Sequence, residues 1–105
     1  MKVHRTVSPH QEVQNERSLY DAILTLETTD EARAFFRDLC TPAEIQAMAD
    51  RWAVAEKLGE KHPYREIQRE TGVSVTTVGR VARYLQAGHG GYMLVATRLA
   101  HGGRK

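Results

Sequence analysis

The sequence predicts an all-α protein, and three observations carry that reading. Apolar residues recur at three- and four-residue steps along most of the chain, no segment alternates with the two-residue period of a half-buried strand, and helix-start and helix-stop residues punctuate the pattern. No internal repeat is visible. Residues 1–14 contain Pro9, few apolar residues and no period, and read as a mobile N-terminal arm. From Glu16 the pattern turns helical, with Leu19, Tyr20, Ile23 and Leu26 on one face. "TTDEARAFFRDLC" starts a second helix with Thr29 as cap and Asp30 and Glu31 in its first turn, where acidic side chains favour the positive end of the helix dipole. Ala32, Phe35, Phe36 and Leu39 form its apolar face.

"TPAE" is the clearest start signal in the chain. Thr41 caps free N–H groups, Pro42 suits the first helical position, and Glu44 completes a capping box. The helix that follows runs to about Gly59 and carries Ile45, Met48, Ala49, Trp52, Ala55 and Leu58 at a helical period. "GEKHP" ends it, and Pro63 opens the short helix "PYREIQRET". Gly72 stands where a left-handed residue closes a helix, Ser74 caps a further helix ending near Gln86, and "AGHGG" breaks it. "YMLVATRLA" is a last short apolar helix and residues 101–105 read as a disordered tail. One helical domain is thus expected over residues 15–100.

Composition bounds the function. A chain of 105 residues with 41% hydrophobic and 27% charged residues has the make-up of a folded globular domain. No run approaches the roughly 20 apolar residues that span a bilayer, so no membrane partner is expected. The N-terminus has no signal-peptide core and the single Cys40 has no internal disulfide partner, so the expected location is the cytoplasm. Charge is uneven: residues 1–60 hold 7 Lys/Arg against 11 Asp/Glu, a net of −4, and residues 61–105 hold 8 against 2, a net of +6. A basic half points to a polyanionic partner. The apolar faces of the first three helices exceed what one thin helical domain covers, and a symmetric dimer is the commonest way to bury such surplus.

"YREIQRETGVSVTTVGRVARYL" has the anatomy of a helix-turn-helix over about residues 63–86. Ile67 and Val73 pack the first helix and the turn. Val75, Val78, Ala82 and Leu85 make the apolar stripe of the second helix, with Val81 at its border. The other face of the second helix carries Thr76, Thr77, Arg80, Arg83 and Gln86, and its cap Ser74 is counted with the DNA-binding residues. Short hydroxyls let a helix approach base edges, and arginine bonds guanine or holds phosphate. On the first helix Tyr64, Arg65, Gln68 and Arg69 reach toward a sugar-phosphate backbone. Gly79 costs ~1 kcal/mol against alanine in mid-helix, so close approach to DNA or tight helix packing requires the missing side chain. The alternative for this hairpin is a protein-interaction module that presents its basic face to an acidic partner.

"LCTPAEIQAMADRWAVAEKL" followed by "YREIQRETGVSVTTVGRVARYL" resembles the tryptophan repressor superfamily, and the ending "GGYMLVATRL" is similar to its TrpR-related YerC/YecD branch. The resemblance covers about residues 16–99. It implies an intertwined all-α homodimer that binds double-stranded operator DNA through the helix-turn-helix, hence a transcriptional regulator and by family a repressor. It also implies an effector pocket between the long helix and the recognition helix. Arg51 and Arg80 match the two arginines that flank the corepressor, and Thr41 matches a threonine at the pocket edge. Two residues depart from the tryptophan-binding members. Val81 replaces a glycine that leaves room for the indole, and Tyr84 replaces a serine near the ligand's amino group. The slot is therefore expected to be filled from within, so that DNA binding needs no tryptophan and any regulation acts through another, anionic, small ligand or through protein level.

Other chemistry is not signalled. The five histidines, His4, His10, His62, His89 and His101, make no pair at ligand spacing on one helix, so no metal is expected. Cys40 ends an apolar helix and reads as packing rather than nucleophile. "GHGG" lacks the strand and lysine of a phosphate-cradling loop. The expectation is a protein that is not an enzyme and carries no cofactor.

Overall fold

The computed structural model describes residues 6–102. Among these residues there are six helices and no strand: α1 (Pro9–Ile23), α2 (Thr29–Leu39), α3 (Pro42–Gly59), α4 (Tyr64–Thr71), α5 (Val75–Ala87) and α6 (Gly91–Ala100). They fall into two compact units divided between Leu39 and Cys40.

The first unit holds α1 and α2, and both start earlier than the apolar pattern indicates. Helix α1 begins at Pro9, so residues 9–14 are not an irregular arm. The Ser8 side chain accepts a hydrogen bond from the Gln11 amide at 3.1 Å, and Pro9 occupies the first helical position. Its first two turns carry Val13 as a lone exposed aliphatic residue and are held by this cap and by a Gln11–Asn15 side-chain bond of 2.9 Å, so periodicity could not reveal them. Of the rest of the expected arm, residues 6–8 are non-helical and exposed, and residues 1–5 lie outside the described residues. In α2 the capping hydroxyl belongs to Thr28 rather than Thr29: its Oγ1 accepts from the Glu31 amide at 3.1 Å, while Glu31 accepts from the Glu27 amide at 2.9 Å. Neither α1 nor α2 contains a buried residue.

The second unit is built around α3. Its start is the expected capping box: Glu44 N–H donates to Thr41 Oγ1 at 3.1 Å and the Thr41 amide donates to Glu44 at 2.8 Å. The other half of α3 packs on α4 and α5, and α5 packs on α6. The core consists of Val54, Ala55, Ile67, Val73, Val78 and Val81, with Trp52, Leu58, Leu85 and Tyr92 packed around it. Ile67, Val54, Val78 and Val81 lose essentially all contact with water, each contributing roughly 1.5–3 kcal/mol. Val75, expected in the stripe, is instead 57% exposed. It is the first residue of α5. Val81 takes the core position that its border assignment understated.

Between α3 and α4 the chain turns through Lys61, whose φ of 68° is the left-handed region. That conformation costs a residue with a Cβ roughly 1–2 kcal/mol. Polar contacts fasten the junction: Lys57 Nζ lies 3.1 Å from Glu70, and the two ring nitrogens of His62 lie 3.3 Å from Glu60 and from Glu66. At the far end, His101 and Gly102 form a hydrogen-bonded turn after α6, through Gly102 N–H to the Leu99 carbonyl at 3.1 Å. The rest of the expected tail, residues 103–105, lies outside the described residues.

Candidate nucleic-acid interface and the adjoining cavity

Helices α4 and α5 form the expected hairpin, and local chemistry sets each of its corners. Gly72 closes α4 with φ 74°, donating its N–H to the Gln68 carbonyl at 2.9 Å. A side chain resists that conformation, and glycine does not. Thr71 braces the turn from inside, accepting from the Val73 amide at 3.1 Å and donating to the Ile67 carbonyl at 2.7 Å. Ser74 then caps α5, accepting from the Thr77 amide at 3.2 Å. Ile67, Val73, Val78 and Val81 belong to the core, so the hairpin's outer face is mostly polar, with Val75 the exposed aliphatic residue on it.

On α4, Tyr64, Arg65, Gln68 and Arg69 are all exposed. On α5, Ser74, Thr76, Arg80 and Arg83 are exposed, and no carboxylate pairs with any of these arginines among the described residues. The two threonines differ. Thr76 is open to solvent, whereas Thr77 is half-buried and its hydroxyl accepts from Ser74 at 3.2 Å. The Ser74 hydroxyl is likewise engaged in capping. Spacing alone could not separate these roles, because successive residues on a helix point about 100° apart.

Gly79 is half-buried in the second turn of α5, and a Cβ built there would meet no atom within 4 Å. Tight packing within the protomer, one of the two explanations for this glycine, is therefore removed.

Behind the hairpin lies a cavity of about 610 Å³. Arg51 and Trp52 of α3 form one side, Arg80, Val81 and Tyr84 of α5 another, and His89, Gly91, Tyr92 and Val95 close the third. Trp52 and Tyr92 stack with ring centroids 6.3 Å apart and planes 18° from parallel. The Arg80 guanidinium lies over the Tyr84 ring, 5.2 Å from its centre. Arg51 and Arg80 pair with no carboxylate among the described residues, and the lining contains no Asp or Glu.

Two expectations about this pocket change. It is not filled from within: Val81 turns into the core, where it is 1% exposed, and Tyr84 stays 41% exposed under Arg80. Both residues form walls and leave the volume open. Thr41 does not line the cavity; its hydroxyl is spent on the cap of α3. Trp52, His89, Gly91, Tyr92 and Val95 were not foreseen as pocket residues, and the "GHGG" break and the stripe position of Trp52 carried no signal of it.

Possible metal ligands come together at one place among the described residues, His62, Glu66 and Glu70, whose donor atoms lie within 4.8 Å of one another. The grouping is occupied by charge pairing. The hydrogen bond from Lys57 holds the Glu70 carboxyl below its usual range, and the same contact raises Lys57. The Lys57–Glu70 contact ties α4 to α3.

Comparison with known proteins places this architecture. The model of the Trp repressor protein family matches residues 14–100. The chain belongs to the Trp repressor family. It is 42% identical over 81 residues to the uncharacterised protein YerC of Bacillus subtilis, a match covering 77% of this chain and 78% of that one. Among solved structures it resembles a TrpR-like protein from Eubacterium eligens, with a TM-score of 0.80 and 42% identity over 83% of this chain and 90% of that one. A provisionally assigned Trp repressor from Staphylococcus aureus superposes with a TM-score of 0.81 and 36% identity, covering 90% of this chain and 96% of the other. At family level the chain is thus a DNA-binding regulator, on the YerC side of the Trp repressor family. No helix among the described residues is long and apolar enough to cross a membrane.

Proposed function

We propose that the protein acts as a homodimeric transcriptional repressor that lays α5 in the major groove of duplex DNA. The observation that carries this reading is the two-sided α4–Gly72–α5 hairpin. Ile67, Val73, Val78 and Val81 are spent on the core, while Thr76, Arg80 and Arg83 stand exposed and make no ion pair among the described residues. Tyr64, Arg65, Gln68 and Arg69 on α4 are placed to grip the sugar-phosphate backbone, and Ser74 and Thr77 hold the start of α5 in shape. Dimerisation is supported by the first unit, whose apolar side chains have no core of their own. Twofold symmetry then calls for a near-palindromic site with half-sites about 34 Å apart.

Selection from a random duplex library, followed by affinity measurements across a salt series, tests this. The expected outcome is one enriched sequence family and a steep loss of affinity with salt. Arg83→Ala weakens binding to all duplexes alike and lowers the salt slope by about one unit if Arg83 holds a phosphate. Enrichment of no sequence overturns specific recognition, and binding to an acidic protein with none to DNA favours an interaction module.

DNA binding does not depend on tryptophan in this reading. The cavity is large enough for an amino acid, but an α-ammonium group would find two guanidinium groups and no carboxylate. The lining of Arg51, Arg80 and Tyr84, beside the stacked Trp52 and Tyr92, suits a planar anion without a cationic group. Calorimetric titration with tryptophan is expected to give no heat of binding. Micromolar tryptophan binding that also tightens operator affinity overturns this part of the reading.

A further inference from the structure

We infer that Gly79 is a specificity-determining notch that receives the 5-methyl group of a thymine, an inference that rests on the duplex-binding reading of α5. Thr76, Gly79 and Arg83 follow one another at steps of three and four residues, so they lie in a row along one side of α5. Thr76 and Arg83 are exposed, and Gly79 between them has no side chain. The row therefore has a gap at its centre, flanked by a hydroxyl and a guanidinium. Nothing in the protomer occupies it, since a Cβ at Gly79 would meet no atom within 4 Å.

The helix gives no local reason for the glycine. Its φ is not in the left-handed region, it closes no turn, and alanine would suit that backbone better. The demand for an empty place must come from something that approaches α5 from outside. What approaches must be apolar at the point of contact. The peptide groups of Gly79 lie within the ladder of α5, so they offer no strong donor or acceptor to a base. Only the Cα surface remains. Among the groups on the floor of the major groove, the thymine methyl is the one that is both apolar and protruding. A row of Thr76, notch and Arg83 thus reads a thymine between two polar contacts.

The test uses duplexes enriched from a random library by the wild-type protein. Each thymidine is replaced in turn by deoxyuridine, which removes one 5-methyl group at a time. One thymine in each half-site is expected to respond, with wild-type affinity falling about fourfold, the worth of one buried methyl group. Gly79→Ala fills the notch, so the preference reverses and the variant binds the uracil duplex more tightly than the thymine duplex. The same variant is expected to melt about 5 °C higher than wild type, because the helix gains propensity and no clash arises. A flat uracil scan with the wild-type protein overturns the inference while leaving DNA binding intact. So does an alanine variant that retains wild-type affinity, or that loses affinity equally for both duplexes. Enrichment of no sequence overturns the specific recognition on which the inference rests, and absence of duplex binding overturns the DNA reading itself.

Discussion

The two units of the chain spend similar helices in opposite ways. In the second, α3, α4 and α5 bring Val54, Ile67, Val78 and Val81 together and remove them from water. In the first, α1 and α2 bury no residue at all: Phe35 and Phe36 meet edge to face at 5.6 Å yet remain half-exposed, and Leu24 is 80% exposed. Both units contain amphipathic helices, so amphipathicity does not by itself make a core. A core needs faces that converge, and a Cβ-free turn at Gly72 supplies that convergence only in the second unit. The exposed apolar surface of the first is what the proposed second copy would cover.

The sharpest way to break this comparison is to damage the second unit's core. Ile67→Ala deletes a fully buried side chain and is expected to destabilise by about 2–5 kcal/mol, a large share of the stability of so small a domain. Denaturant titration measures it. A loss under 1 kcal/mol would mean that the α3–α4–α5 packing is not what holds the fold.

A substitution in the first unit should have a different signature. Leu24→Asp costs little in an isolated protomer, where the side chain already lies in water. If a second copy covers this face, the same change weakens association roughly tenfold or more. The melting temperature of the wild-type protein should also rise with its concentration. Sedimentation of wild type and variant decides it, and a stable wild-type monomer at micromolar concentration would undo the contrast between the units.

The smallest effect belongs to the Lys57–Glu70 pair at the α3–α4 junction. Its hydrogen bond lowers Glu70 and raises Lys57. The Glu70 contribution is therefore present above the ordinary carboxylate range and fades as pH falls through the lowered value. The Lys57 contribution is present below the ordinary lysine range and fades as pH rises through the raised value. Both groups are in contact with water, so screening keeps the effect small. Glu70→Gln should melt slightly below wild type near neutrality, with the difference vanishing in acid. A difference that persists in acid would assign Glu70 to packing instead.

What could be read from the sequence alone is what local chemistry dictates. Thr41 with Glu44, Ser74 before α5 and Gly72 after α4 each act within four residues, so the boundaries they set were legible, as was the polar face of α5. The cap at Ser8 was equally local but lay in a stretch without apolar period, which hid the start of α1. Tertiary structure decided everything that depends on which faces meet. It buried Val54, left Val75 in water, turned Thr77 partly inward and kept Thr76 out. It also gathered Arg51, Arg80, His89, Tyr92 and Val95 around one cavity. Those residues span α3 to α6 and share no spacing rule, because a cavity is made by helices crossing at a distance in sequence, and only their packing brings its walls together.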